Sequence, residues 1–235
     1  MAGHAYELTR LFARSAWTGD PTTARDIEGV LMAMAPPKAR DRLAESLRQV
    51  PEFADGSEPR ALPPGFGPDH LRRCEPGTLG AAYLRLMRDF DLDPESLPTL
   101  HTSNDLTYFR RRVMESHDIW QVIADCPADI EGELGVVGFY FGHFARYLSG
   151  PTGTYNAVIG MNLAAGLLHV SRTRPRRLLP IVTRVLRNVY RGYLAAPLFS
   201  LHGEQMWGQP VTELLPDDAA RAAMPANDAP RLVVH

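Results

Sequence analysis

His117, Asp118 and Gln121 fall within five consecutive residues, and Glu133 follows twelve positions after Gln121. On a helix, positions four apart share a face, so His117 and Gln121 point one way, with Asp118 a step around the same turn. An imidazole and carboxylates contributed by paired helices are the ligand types with which helical bundles hold divalent metal ions. A tight turn between two helices at residues 125–127 would fold Glu133 back toward His117. The same residues also suit a hydrogen-bonded core histidine and an Asp118 ion-paired with Arg111 or Arg112. Residue types and spacing leave both readings open.

The elements that must position these residues read as helices. Apolar residues recur with helical spacing throughout, and no alternating run is long enough for a core strand, so the fold class expected is all-α, a single-domain helical bundle with an N-terminal helical appendage. Asp20 and Pro21 open a helix whose apolar face is Ile27, Val30, Leu31 and Met34, and Pro36-Pro37 stops it. Leu43 and Leu47 continue in a second short helix. Residues 51–68 hold five prolines and three glycines and read as a linker between the helical segment 1–50 and a domain over 69–215. In that domain residues 78–90 form a core helix, and Asn104 or Asp105 caps a segment carrying Phe109, Val113, Trp120 and Ile123 up to Cys126-Pro127. Three further helices are expected over residues 129–148, 155–170 and 176–193. Residues 216–235, rich in Asp, Ala and Pro, read as a loose tail.

Taken together, these blocks resemble the ubiquinone (coenzyme Q) biosynthesis family Coq-four. The family hallmark is His-Asp, two residues, His, eleven residues, then Glu, and here the positions read His117-Asp118, Ile119-Trp120, Gln121, residues 122–132, Glu133. The likeness extends to Gly77-Thr78-Leu79-Gly80, to Arg110, Arg111 and Arg112, to the Gly-rich run 132–142, and to Tyr190-Arg191-Gly192 followed by residues 198–214, so it covers roughly residues 62–215. What the resemblance implies is metal-dependent removal of the ring carboxylate of a polyprenylated aromatic quinone precursor, coupled to hydroxylation at that carbon. His117, Asp118 and Glu133 would hold the metal, His117 and Glu133 would serve the chemistry, and Arg111 or Arg112 would receive the substrate carboxylate. Zinc is the metal implied. Gln121 stands where the family has its second histidine, and an amide oxygen suits harder cations, which brings iron and manganese into consideration. Two other functions remain open: a non-catalytic lipid-binding scaffold organising other quinone-biosynthesis proteins, and an enzyme of another small-molecule pathway on the same fold.

Composition narrows the partners. With 45% hydrophobic and 22% charged residues the 235-residue chain is neither disordered nor fibrous, and its formal charge of −2 gives no drive toward nucleic acid. Cys74 and Cys126 are too few for a disulfide scaffold or, alone, a zinc finger. Lys38 is the one lysine among 25 basic residues, a bias that fits GC-rich bacterial coding. The N-terminus lacks the apolar core of a secretory signal, and the uncharged stretch 147–171 is broken by glycines, Pro151 and asparagines, so a cytoplasmic chain without a membrane span is expected. The segment 172–191 carries seven arginines and no acid, which suits peripheral docking on an anionic membrane surface, the bacterial inner membrane. Small residues along 134–148 and 155–170 fit two closely packed core helices and, with the resemblance, a groove for an isoprenoid chain. Pairing as a homodimer is compatible with all of this.

Overall fold

The structure is a computed structural model and describes residues 2–20, 22–50, 71–92, 104–148, 153–195, 198 and 206–214. The expected linker 51–68 and the expected tail 216–235 lie outside these residues. The all-α expectation holds: the described residues form helices, with an isolated bridge between Thr78 and Pro210 and no strand. In chain order the helices are α1 (Ala2–Thr18), α2 (Thr22–Met34), α3 (Pro37–Arg48), α4 (Leu79–Asp89), α5 (Asp105–Glu115), α6 (His117–Ile123), α7 (Ile130–Tyr147), α8 (Thr154–Thr173), α9 (Leu178–Leu194) and α10 (Val211–Leu214). No helix among the described residues is long and apolar enough to cross a membrane.

Local signals set the boundaries. α2 stops before Pro36, and Pro37 becomes the first residue of α3, where its missing N–H costs nothing. Asn104 caps α5 reciprocally: its Oδ1 accepts from the Thr107 amide at 3.0 Å while its own amide donates to Thr107 Oγ1 at 3.0 Å. Asp129 caps α7 through the Gly132 amide at 2.8 Å. One boundary departs from expectation. The segment expected to run unbroken to Ile123 divides at Ser116, whose backbone sits at φ −93°, ψ 0° and whose hydroxyl donates to the Arg112 carbonyl at 2.6 Å. A hydroxyl bonded back four residues competes with the helical ladder, and the chain restarts at His117.

The chain divides into two compact units, residues 1–46 with 133–193 and residues 47–132 with 194–235. In the first, α1 packs on α2 and α8, and α2 packs on α8. The Arg172 guanidinium lies 3.8 Å over the Trp17 ring and donates to the Ala16 carbonyl, while the His169 ring donates to the Trp17 carbonyl at 3.2 Å. His169 thus ties α8 to α1. Tyr155 donates to Glu28 at 3.0 Å across α8 and α2.

α7 and α9 cross with their backbones almost touching. A Cβ on Gly142 would overlap the Val189 carbonyl, one on Gly138 would lie 2.8 Å from the Val185 carbonyl, and one on Gly192 would overlap the Phe139 carbonyl. On α8, Gly166 is filled by the Leu134 side chain. At these positions the small residues therefore bring helices together and hold no open groove. His143 is wholly buried at the crossing, stacked on Phe139, with its Nδ1–H donating to the Gly192 carbonyl at 3.2 Å. Burial lowers its pKa to about 3, against the opposing effect of that hydrogen bond.

Two outcomes are expected. Gly142→Ala forces α7 and α9 apart and lowers the thermal midpoint by an amount corresponding to about 1–3 kcal/mol. Gly160→Ala, whose Cβ would meet the Phe141 ring at an ordinary 3.6 Å, lowers it not at all and raises it by an amount corresponding to up to about 1 kcal/mol, alanine being the better helix former. For His143, the unfolded chain takes up a proton near pH 6.5 and the folded chain only near pH 3. Stability is therefore full above the unfolded value and falls as pH drops through that window, by at most about 1.4 kcal/mol per pH unit. Urea unfolding from pH 7 to pH 4 checks this, and a His143→Asn variant, although weaker at pH 7, shows the shallower acid slope.

Candidate functional site

The restart at Ser116 puts His117 and Asp118 in the first turn of α6, where the helix dipole favours a carboxylate. Ile119, Trp120, Gln121 and Ile123 form the buried side of this short helix. Seven residues cannot hold a helix alone, so α6 depends on its neighbours α4, α5 and α10.

α4 is itself clamped at its start. Gly77 has φ +89°, a conformation that a side chain would strain, and leads into Thr78, whose Oγ accepts from the Ala81 amide and donates to the Glu75 carbonyl at 2.7 Å. The Leu79 and Gly80 amides donate to the carbonyls of Gln209 and Trp207, each at 2.9 Å, and the Val211 amide donates to Gly77 at 3.1 Å. A Cβ on Gly80 would press on Cys74 Sγ and lie 3.2 Å from Trp207 Cβ. The Tyr83 and Trp207 rings stand 5.0 Å apart. Gly77 to Gly80 and the segment 206–211, far apart in sequence, thus form one interlocked piece against which α6 packs.

His117 and Asp118 are half-buried on this unit and Gln121 is 1% exposed. Glu133 is half-buried on α7 and belongs to the other compact unit. The expected turn is present: the Cys126 amide donates to the Gln121 carbonyl at 2.8 Å and Asp125 takes φ +54°. Among the described residues no group of three or more His, Cys, Asp or Glu side chains stands close enough to hold a metal ion. The structure thus joins His117, Asp118 and Gln121 on one helix and gathers no larger donor cluster among these residues. His143 and His169 are engaged elsewhere, as described.

Arg111 and Arg112, the expected carboxylate receivers, share one acid. Arg111 Nε donates to Glu115 Oε1 at 2.7 Å, and Arg112 Nη1 lies 3.8 Å from Glu115 Oε2 with the Arg112 side chain 3% exposed. Sequence reasoning missed Glu115, although its i,i+4 and i,i+3 spacing from the two arginines was a usable signal. It also missed Ser116, which breaks the helix.

A family model described as "Coenzyme Q (ubiquinone) biosynthesis protein Coq4" matches residues 59–218. The chain is 23% identical over 181 residues to the mitochondrial ubiquinone biosynthesis protein COQ4 of Laccaria bicolor, covering 76% of this chain and 56% of that one. It is 24% identical over 148 residues to the mitochondrial COQ4 homolog of Drosophila melanogaster, covering 62% and 50%. The chain thus spans about half the length of these relatives. Among solved structures, a protein from Nostoc punctiforme named for ubiquinone biosynthesis matches with a TM-score of 0.70 at 23% identity, covering 89% of this chain and 93% of that one, a likeness of fold.

Replacing Glu115 by Gln removes the shared acid beneath two arginines, one of them buried. The urea midpoint should fall by an amount corresponding to about 1–3 kcal/mol. Asp89→Asn breaks the exposed Arg88–Asp89 pair and should shift it by less than about 0.5 kcal/mol.

Proposed function

The chain belongs to the coenzyme Q (ubiquinone) biosynthesis family Coq4, and from that membership we propose that it acts in ubiquinone biosynthesis, replacing the ring carboxylate of a polyprenylated aromatic precursor by hydroxyl with release of carbon dioxide, a two-electron oxidation for which dioxygen or another external oxidant is the co-reactant. In this reading it works in the cytoplasm, peripherally on the inner membrane and beside other quinone-biosynthesis proteins. The supporting observation is that the match over residues 59–218 takes in the whole span from His117 to Glu133.

The donor set fits a divalent cation by its chemistry. One imidazole, two carboxylates and an amide oxygen are mostly oxygen donors, a composition that suits iron or manganese ahead of zinc. His117, Asp118 and Glu133 would hold the ion, with Gln121 contributing its amide oxygen. Such an ion, when bound, supplies Lewis-acid stabilisation of charge on the ring oxygens. The protein's own part is positioning. Arg111 lies between one and two turns before His117, and its guanidinium can exchange Glu115 Oε1 for a substrate carboxylate, the bidentate partner for which arginine is suited. Buried Arg112 keeps Glu115 in place from the other side.

The test reads metal and product separately. Protein purified without chelators should carry a stoichiometric divalent metal. His117→Ala should lose it with far-UV dichroism unchanged, and Gln121→His should bind zinc more tightly. In cells lacking their own family member, Glu133→Gln should abolish ubiquinone formation. Absence of metal from the wild type, with no thermal stabilisation by added zinc, manganese or iron, would refute the metal site. Full ubiquinone production by Glu133→Gln would assign the chain instead to the scaffold role that the amide at Gln121 favours.

A further inference from the structure

α9 buries Ile181, Val185, Asn188 and Gly192 on one face and meets α7 at the last three. Its opposite face carries Leu179, Leu186, Tyr190 and Tyr193, exposed by 75%, 63%, 50% and 50%. At 100° per residue these four, with Thr183 among them, fall within an arc of about 80°, a continuous apolar stripe along the outside of the helix. A water-facing helix ordinarily fills such positions with charged residues, and a stripe of this kind marks a surface made for contact.

The charge around the stripe indicates the kind of contact. Arg187 borders the stripe on one side, Arg191 and Arg184 follow further round that flank, and Arg172, Arg174, Arg176 and Arg177 precede it, the last two in a 3-10 turn, so residues 172–191 carry +7 in a chain whose net charge is −2. A second copy of this face would bring two such cationic surfaces together. An anionic lipid surface complements it, with leucines entering the acyl boundary, tyrosine rings at the headgroup level and arginines on phosphates. We propose that the outer face of α9 is a membrane-docking surface that lays the helix flat on a bilayer containing anionic lipid. The proposal deepens the membrane part of the proposed function. Its failure would leave the metal site standing, because flotation on vesicles and metal content are read independently.

Flotation with phosphatidylcholine vesicles, alone or with roughly 30% phosphatidylglycerol, tests it. The wild type should float with the anionic vesicles and not with the neutral ones, and should be released in part by salt. Arg184→Gln with Arg187→Gln should weaken partitioning about fivefold per arginine. Leu186→Glu with Tyr190→Glu should abolish it, with far-UV dichroism and the thermal midpoint retained because both positions are exposed. If that variant misfolds, Leu179→Ser with Tyr193→Ser provides the same reading. Failure of the wild type to bind anionic vesicles, or wild-type binding by a folded stripe variant, overturns the proposal. So does a lipid-free wild-type dimer in sedimentation that the stripe variant converts to monomer, which would give the face to a second copy.

Discussion

The contact between α7 and α9 is the constraint on which the first unit depends. Two helices can approach until main chain meets main chain only where side chains are absent, and Gly138, Gly142 and Gly192 remove them at the points of closest approach. Polar bonds bridge the same crossing: Asn188 donates to the Gly135 carbonyl at 3.3 Å, His143 to Gly192, and Arg146 to the Tyr193 carbonyl at 2.9 Å. The Gly135 carbonyl lies within α7, whereas those of Gly192 and Tyr193 belong to the last turn of α9, where carbonyls lack a donor within the helix, so the crossing is specified sterically and electrostatically at once. Because the buried face of α9 is committed to this contact, its leucine and tyrosine stripe has to lie on the outside.

The second unit solves a different problem, that of holding a seven-residue helix in place. α6 is too short to persist alone, and the interlock of Gly77 to Gly80 with residues 206–211 supplies a rigid neighbour. The two glycines there have separate duties. Gly77 supplies a left-handed backbone turn, and Gly80 lets the chain close on Cys74 and Trp207. The orientation of His117 and Asp118 is therefore linked through packing to residues about ninety positions away in sequence.

Much of this was legible from residue order because it rests on local physics. Asn104 as a cap, Pro36-Pro37 as a stop and the turn at Asp125 each follow from side chains acting on backbone within a few residues. The spacing from His117 to Gln121 likewise survives, since both sit on α6. The break at Ser116 was not legible, because a serine inside an apolar period most often faces water, and its bond to the Arg112 carbonyl depends on the side chain turning back along the helix. Glu115 went unnoticed for a related reason: an acid beside three arginines reads as one more surface charge until Arg112 is seen to be buried.

Sequence by itself determined the helical class, the helix ends marked by Asn104 and Pro36-Pro37, and the donor residue types carried by α6 and α7, all of which depend on period and neighbouring side chains. Only the tertiary structure decided which helices the glycines join. The glycine-rich stretch of α7 reads equally as a site for a lipid or for another helix, and its partner at Gly138 and Gly142 is α9, more than forty residues away. Tertiary structure also decided which face of α9 is exposed, since the amphipathic period of a helix fixes that two faces differ but not what covers each. It also made His143 a neutral, buried hydrogen-bond donor, because burial is a property of everything packed around a residue and of nothing adjacent to it in the chain.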